Sequence, residues 1–500
     1  MKKQRFLACL LSCLLLFGVV LTSCNTDNGG SGNATTAQTG GTNAVTTAQT
    51  EATTAATTLG TTEATQTTTQ TTAQTTTGTT APVEPITYLI PEILSEGEPV
   101  GRPFKDPVTV EIMDGVTADL NYLGWPSICV DENDVLYVAG SLRLEHVDPL
   151  GATAFFKSED GGLTWSDARI IYDGPLDDRD AGIVYMGNGR MLVSWFTHYA
   201  SDYLKGGQYS AWYNFNYITD EQEKSIEKRL NSATGYEAER SSYVMISEDY
   251  GETWGEPIRV PVSTPHGPAL LNDGTLMYIG REWNSRSCGI PLATSSPNSH
   301  FNPLYAFVSE DGGETWEYRA HIEVPANGGQ FCEPHTVQLK NGRIICSIRV
   351  QGAESSEIPT GFTIYTCYSD DNGKTWTTPV LVDSQMRGSP PHILELQNGV
   401  LVMTYACRAG AYVFGEKARL SYDGGETWSL NEITLDPAKD SDLGYPASVQ
   451  LSDGTIVTIY YQKYDNEEKR DSKCSVLCTR WLLLTPEEMR EWEENQKDNS

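Results

Sequence analysis

One eight-residue pattern recurs five times along this 500-residue chain and narrows what it can fold into. The segment 158–165, from Ser158 to Trp165, returns as 247–254, 309–316, 369–376 and 421–428, each fitting S-x-D-x-G-x-T-W. The physical content is a tight hairpin. The Asp side chain can accept hydrogen bonds from turn backbone, the Gly can take a positive φ, and the Trp buries a large surface beside the turn. A second repeat is interleaved with the first. Two apolar, strand-like runs flank a short turn at 132–134, 187–189, 272–274, 340–342, 397–399 and 452–454. Most of these turns end in Asn-Gly or Asp-Gly, a strong hairpin signal.

The two hairpins alternate along the chain, and two hairpins make a four-stranded sheet. Six such sheets predict an all-β chain folded as a six-bladed β-propeller over residues 82–484. The sixth unit has no Asp-box pattern. Its third strand is expected at 474–484 and its fourth at 108–113, which would fasten the ring closed. An insert at 197–242 interrupts the second unit, with a helix-compatible stretch at 220–230. Residues 485–500 read as a charged, partly helical tail.

Hairpin geometry also fixes polarity. Counting back nine residues from the third residue of each first turn gives equivalent positions opening the innermost strands: Trp125, Asp180, Pro265, Glu333, Pro390 and Tyr445. The second strands end near Arg143, His198, Arg281, Arg349 and Arg408. Acids, a Tyr and several Arg thus converge on one end of a central channel. Arg forks bind carboxylates bidentately, so this end suits an anionic small ligand. His335 and His392 share one register beside it, with His266 nearby. They open a competing constellation, as acid/base groups of a polysaccharide lyase or another glycosidase, or as hydrogen-bonded channel histidines. Their spacing matches no recognised zinc motif, and no cofactor motif is present.

The ends of the chain read differently. Lys2, Lys3 and Arg5 precede an apolar run that closes at Leu21-Thr-Ser-Cys24. The run is short for a membrane span and reads as a signal peptide over residues 1–23. Its last four residues resemble a bacterial lipobox, which implies that Cys24 is lipidated and that the protein sits on the extracellular face of the bacterial cell membrane. Residues 24–81, rich in Thr, Ala and Gln, offer too few large apolar side chains to order and form a tether. The formal charge of −31 argues against nucleic acid as partner, because phosphates need clustered Lys and Arg. Membrane association is expected through the lipid alone. Cys129, Cys346, Cys367 and Cys407 lie in strand-like runs and read as small core residues.

The Asp boxes and their spacing resemble the sialidase (neuraminidase) superfamily of Asp-box, or BNR-repeat, propellers, over roughly residues 105–484. The resemblance implies a carbohydrate substrate carrying terminal sialic acid or another acidic sugar. It implies Tyr445 as nucleophile, Glu333 as its base and Asp148 as the acid/base residue. Arg349, Arg408 and Arg143 would bind substrate, with Asp180, His335, His392 and Trp125 lining the same end. One departure stands out. The family opens its first blade with an Arg-Ile-Pro motif, whereas this chain has Gly124-Trp125-Pro126. Arg102 is a possible substitute. The expected function is therefore exo-hydrolysis of sialic acid. The alternatives are action on another acidic glycan, by a glycosidase or a polysaccharide lyase, and a non-catalytic glycan-binding propeller.

Overall fold

The Asp box behaves as its residue types demand. Ser158 Oγ donates to Asp160 Oδ1 at 2.9 Å and accepts from Gly162 N at 2.9 Å. Asp160 also accepts from Thr164 N at 2.8 Å and Thr164 Oγ1 at 2.6 Å, and Trp165 Nε1 donates to Gly162 O at 3.2 Å. The same Ser–Asp–Thr bonds recur around Asp249, Asp311, Asp371 and Asp423. Each box closes the outer hairpin of its repeat.

The computed structural model describes residues 93–99, 108–214, 218–282, 303–358, 361–388, 390–408, 414–466 and 471–484. The expected signal segment, Cys24, the Thr-rich linker, Arg102 and the tail 485–500 lie outside the described residues. The fold is an all-β propeller of antiparallel meanders, in which consecutive strands of each repeat pair from the inside outward. Two details correct the sequence reading. The sheets are not six separate blades. Four repeats stand as separate four- or five-stranded sheets, while the first and last join into one eight-stranded sheet. The joint is a parallel pairing of Cys474 with Tyr122. The last sheet is completed by the strand Ile93–Pro99, which pairs antiparallel with Asp471–Trp481. Val108–Met113, expected in that place, instead forms a separate hairpin with Val116–Leu120.

The inner turns stitch neighbouring repeats. Asn272 Nδ2 donates to Leu339 O at 3.1 Å, Lys340 Nζ to Leu396 O at 3.0 Å, and Gln397 Nε2 to Leu451 O at 2.9 Å. Ser452 N donates to Asp134 Oδ1 at 2.9 Å, which ties the last repeat to the first. Apolar clusters fill the spaces between sheets, so each repeat buries its faces against its neighbours.

The insert carries a helix at Asp220–Ala233, slightly longer than expected, opened by a capping box between Thr219 and Gln222. Its Ile226, Leu230 and Ala233 join Ile112, Ala118 and Leu120 of the separate hairpin in one buried cluster. Cys129, Cys332, Cys346, Cys367, Cys407, Cys474 and Cys478 are unbridged, and all but Cys332 are buried.

Candidate active site

Four of the innermost strands carry the same distortion at the same place. Two residues of the inner strand oppose one of its partner at Trp125-Pro126, Asp180-Ala181, Glu333-Pro334 and Tyr445-Pro446. These are β-bulges, which re-aim a side chain at the cost of local pairing. The first residue of each has a left-handed backbone: φ is 51° at Trp125, 50° at Asp180, 47° at Glu333 and 55° at Tyr445. A non-Gly residue there is uncommon and energetically strained, and such positions cluster at functional sites. In the third repeat the positive φ falls on His266, at 67°, one residue past the counted Pro265. Sequence reasoning located these positions but missed the distortion. Three of the four bulged residues precede Pro, which disfavours right-handed helical backbone at the residue before it.

The bulges bring together what the spacing promised. Tyr445 Oη donates to Glu333 Oε1 at 2.9 Å. Arg349 Nη1 donates to Tyr445 Oη at 3.1 Å and also to Glu333 Oε2. Arg349 Nη2 is held by Gln351 Oε1 at 2.6 Å, and Gln351 in turn by Gln330 at 2.8 Å. Burial, then the Glu333 charge, pushes the Tyr445 phenol well above its ordinary value, while Arg349 and Arg408 pull against that. Arg408 and Arg281 are half-buried. Neither makes an ion pair among the described residues, although the charge of Arg408 reaches Tyr445 and that of Arg281 reaches Cys332, next to Glu333. These cations suit an incoming anion.

Trp125 closes one wall. It is 2% exposed and packs with Tyr122, Tyr445 and Tyr461. The guanidinium carbons of Arg143 and Arg179 lie 5.3 and 5.0 Å from its ring centroid. Where the sialidase motif reads Arg-Ile-Pro, this chain therefore has Gly124 at the Arg position and, at the Ile position, an apolar ring packed against two cations.

Two expected site residues are diverted. Arg143 is fully buried, with Nε on Asp148 Oδ2 at 3.2 Å and Nη2 on Asp148 O at 3.0 Å and on Asp177. Asp148 is also fully buried and accepts from the backbone of Leu144, Glu145 and Leu150 at 3.1, 2.9 and 2.7 Å. Its carboxyl is pushed up by burial against the pull of Arg143. With both oxygens committed, Asp148 folds its own loop and presents no free face to a leaving group. The same satisfaction of a buried charge removes Arg143 from substrate contact.

Asp180, expected among the channel acids, takes a different position. It is 6% exposed, and its Oδ1 has no hydrogen-bond partner. Arg179 Nε lies 4.0 Å away. Burial, opposed by Arg179 and reinforced by the Glu333 charge, raises its carboxyl to about 7.

The histidines form one cluster. The rings of His335 and His392 stack at 3.9 Å between centroids, with His266 edge-on at 5.6 and 5.3 Å. His335 Nδ1 accepts from Ile393 N at 3.0 Å. Burial drives His266 down to about 3 and the other two well below their ordinary value, so all three are neutral. Among the described residues no group of three or more His, Cys, Asp or Glu side chains is arranged to hold a metal ion.

Comparison with known proteins agrees with this architecture. A BNR repeat-like domain model matches residues 228–459. A sialidase of Clostridium perfringens is 24% identical over 208 residues, covering 37% of this chain and 51% of the relative. A sialidase of Bacteroides fragilis is 22% identical over 357 residues, covering 65% and 56%. The chain thus spans about half the length of the curated relatives it matches. A Dyadobacter fermentans protein of unknown function shares the fold, with a TM-score of 0.56 at 18% identity over 79% of this chain and 99% of that one. The repeats, the propeller fold and these relatives together make the chain similar to the sialidase/BNR-repeat propeller superfamily.

Proposed function

We propose that the protein is an exo-glycosidase of the sialidase type, which releases a terminal acidic sugar through Tyr445. The observation that carries this reading is the hydrogen-bonded triangle of Tyr445 Oη, Glu333 and Arg349. Sialic acid carries a carboxylate on its anomeric carbon, and a carboxylate nucleophile would meet repulsion there. A neutral phenol avoids it but is a weak nucleophile, so it needs a base in hydrogen-bond reach to take its proton as attack proceeds. Glu333 fills that role at 2.9 Å. Arg349 and Arg408 hold the substrate carboxylate, and Arg281 supplies the third cation that the first repeat lacks. Trp125, buried against Tyr445, closes the wall beside the nucleophile. The N-terminal leader is read as a lipoprotein signal, so that the enzyme works at the outer face of a bacterial membrane.

The test is release of free sialic acid from a fluorogenic α-sialoside by the purified full chain, beside Tyr445→Phe and Glu333→Gln. Turnover lost by about 10³-fold or more in the Phe variant supports a nucleophilic Tyr. Absence of turnover in the parent, or parent-like rates in the Phe variant, refutes it. An unsaturated product absorbing in the ultraviolet identifies a lyase instead.

A further inference from the structure

The dyad of Tyr445 and Glu333 accounts for attack on the sugar, but the departing oxygen also needs a proton. Asp148, the residue expected to supply it, is enclosed by three backbone N–H groups and Arg143. We propose that Asp180 is the general acid and base of this site, giving its proton to the glycosidic oxygen and later taking one from water. This rests on the glycosidase reading above.

Four observations converge on Asp180. It occupies the same bulged, left-handed position in its repeat as Glu333 and Tyr445 do in theirs. The three side chains therefore leave their strands at equivalent points of the ring. Its Oδ1 is buried and unpartnered, which costs free energy unless something is brought to it. Asp180 also lies within electrostatic reach of both members of the dyad, since its charge acts on Tyr445 and that of Glu333 acts on it. Lastly, its carboxyl stays protonated close to neutral pH through burial, against Arg179, with Glu333 adding to the shift and Arg143 and Asp177 making smaller, opposing contributions. Tyr445 and Tyr461 face it as neutral phenols. A carboxylic acid kept neutral close to pH 7 is what acid-assisted glycoside cleavage requires.

The steps balance. Tyr445 Oη bonds to the anomeric carbon while its proton passes to Glu333. The bond from that carbon to the leaving oxygen breaks, and the Asp180 proton goes to that oxygen. Water then attacks the anomeric carbon and gives a proton to the Asp180 carboxylate. Tyr445 departs and recovers its proton from Glu333. The net change is one glycosidic bond and one water converted to two hydroxyl groups.

The experiment compares two α-sialosides with the parent chain, Asp180→Asn and Asp148→Asn. One substrate has a nitrophenyl leaving group that departs without help, and the other has a sugar leaving group that must be protonated. Asp180→Asn is expected to lose about 10²- to 10⁴-fold in kcat/KM on the sugar-linked substrate but less than about tenfold on the nitrophenyl one. The alkaline limb of its pH profile should also disappear. Equal losses on both substrates, an unchanged alkaline limb, or the selective loss appearing in Asp148→Asn would overturn the proposal. If the parent cleaves no sialoside, the sialidase reading fails by itself. Asp180 is then judged by infrared difference spectra of the parent against Asp180→Asn. A protonated carboxyl band that titrates between about pH 6 and 8 and is missing in the variant supports a poised acid; titration near the ordinary Asp value of about 4 refutes one.

Discussion

Replacing Asp180 with Asn should stabilise the protein at neutral and alkaline pH while removing its acid. In the folded chain, burial carries the Asp180 carboxyl from 3.8 to about 7. In the unfolded chain it returns to about 3.9. Between those values the folded state holds a proton that the unfolded state has released. The contribution of this group is therefore fully present below about pH 4 and is lost as pH rises through about 7. A shift of about three units at ~1.4 kcal/mol each sets the loss on the order of 4 kcal/mol. Asp180 is only 6% exposed, so solvent takes little from that figure. Asn has nearly the same shape and does not titrate. The stability of the variant minus that of the parent should thus grow by a few kcal/mol between about pH 4.5 and 8, then level off. Urea denaturation at a series of pH values, followed by tryptophan fluorescence, reads this as a widening gap in midpoint at constant slope. A gap that does not change with pH, within about 1 kcal/mol, would show that the carboxyl ionises normally and would refute the burial argument. Lower activity in a more stable variant is the usual exchange at a strained site.

Other perturbations separate the parts of the structure. Asp148→Ala strips Arg143 of one partner and leaves three backbone donors unsatisfied, two of them buried, so stability measured by denaturation should fall by about 3–5 kcal/mol. Arg281→Ala removes a cation with no ion pair among the described residues. KM for an acidic substrate should rise by roughly 10- to 100-fold, as expected for one lost charge-assisted bond of about 1.5–3 kcal/mol, with little change in thermal midpoint. Asp311→Ala removes the acceptor of Thr315 N at 3.0 Å, Thr315 Oγ1 and Ser309 Oγ in one outer turn. A loss of about 1–3 kcal/mol with unchanged kinetics is expected, since the box closes a hairpin remote from the inner-strand bulges.

The local parts of this molecule were legible in its sequence. The hydrogen bonds that join Ser, Asp, Gly and Thr in an Asp box each span no more than four residues, so they could be anticipated from residue types alone. The first hairpins have turns of constant length, and register in a hairpin is set by its turn. Counting from a turn therefore reached Asp180, Glu333 and Tyr445, although these three residues are separated by more than a hundred positions in sequence. Those same counts held because each bulge begins at the counted residue, as at Glu333 between Cys332 and His335. The helix of the insert was legible as a helix-compatible stretch at 220–230, whereas its cap at Thr219 emerged only in the structure.

What depended on distant contacts was not legible. Ile93–Pro99 and Val108–Met113 are both strand-like, and only the assembled ring decides which one meets Asp471–Trp481. Arg143 and Asp148 satisfied the motif spacing, yet Arg143 is bonded by Asp177 from the next repeat, which Tyr203 from the insert holds in turn. The roles of acids in this site follow the same rule. Sequence specifies that a carboxyl is present, but its proton affinity is set by how much water the fold removes and which charges it brings near. Burial, reinforced by Glu333 and opposed by Arg179, keeps a proton on Asp180, while Arg143 and the loop backbone occupy both oxygens of Asp148. Short-range turn chemistry thus determined where side chains enter the channel, and tertiary packing determined which of them could do chemistry there, because desolvation and charge proximity are properties of the assembled ring.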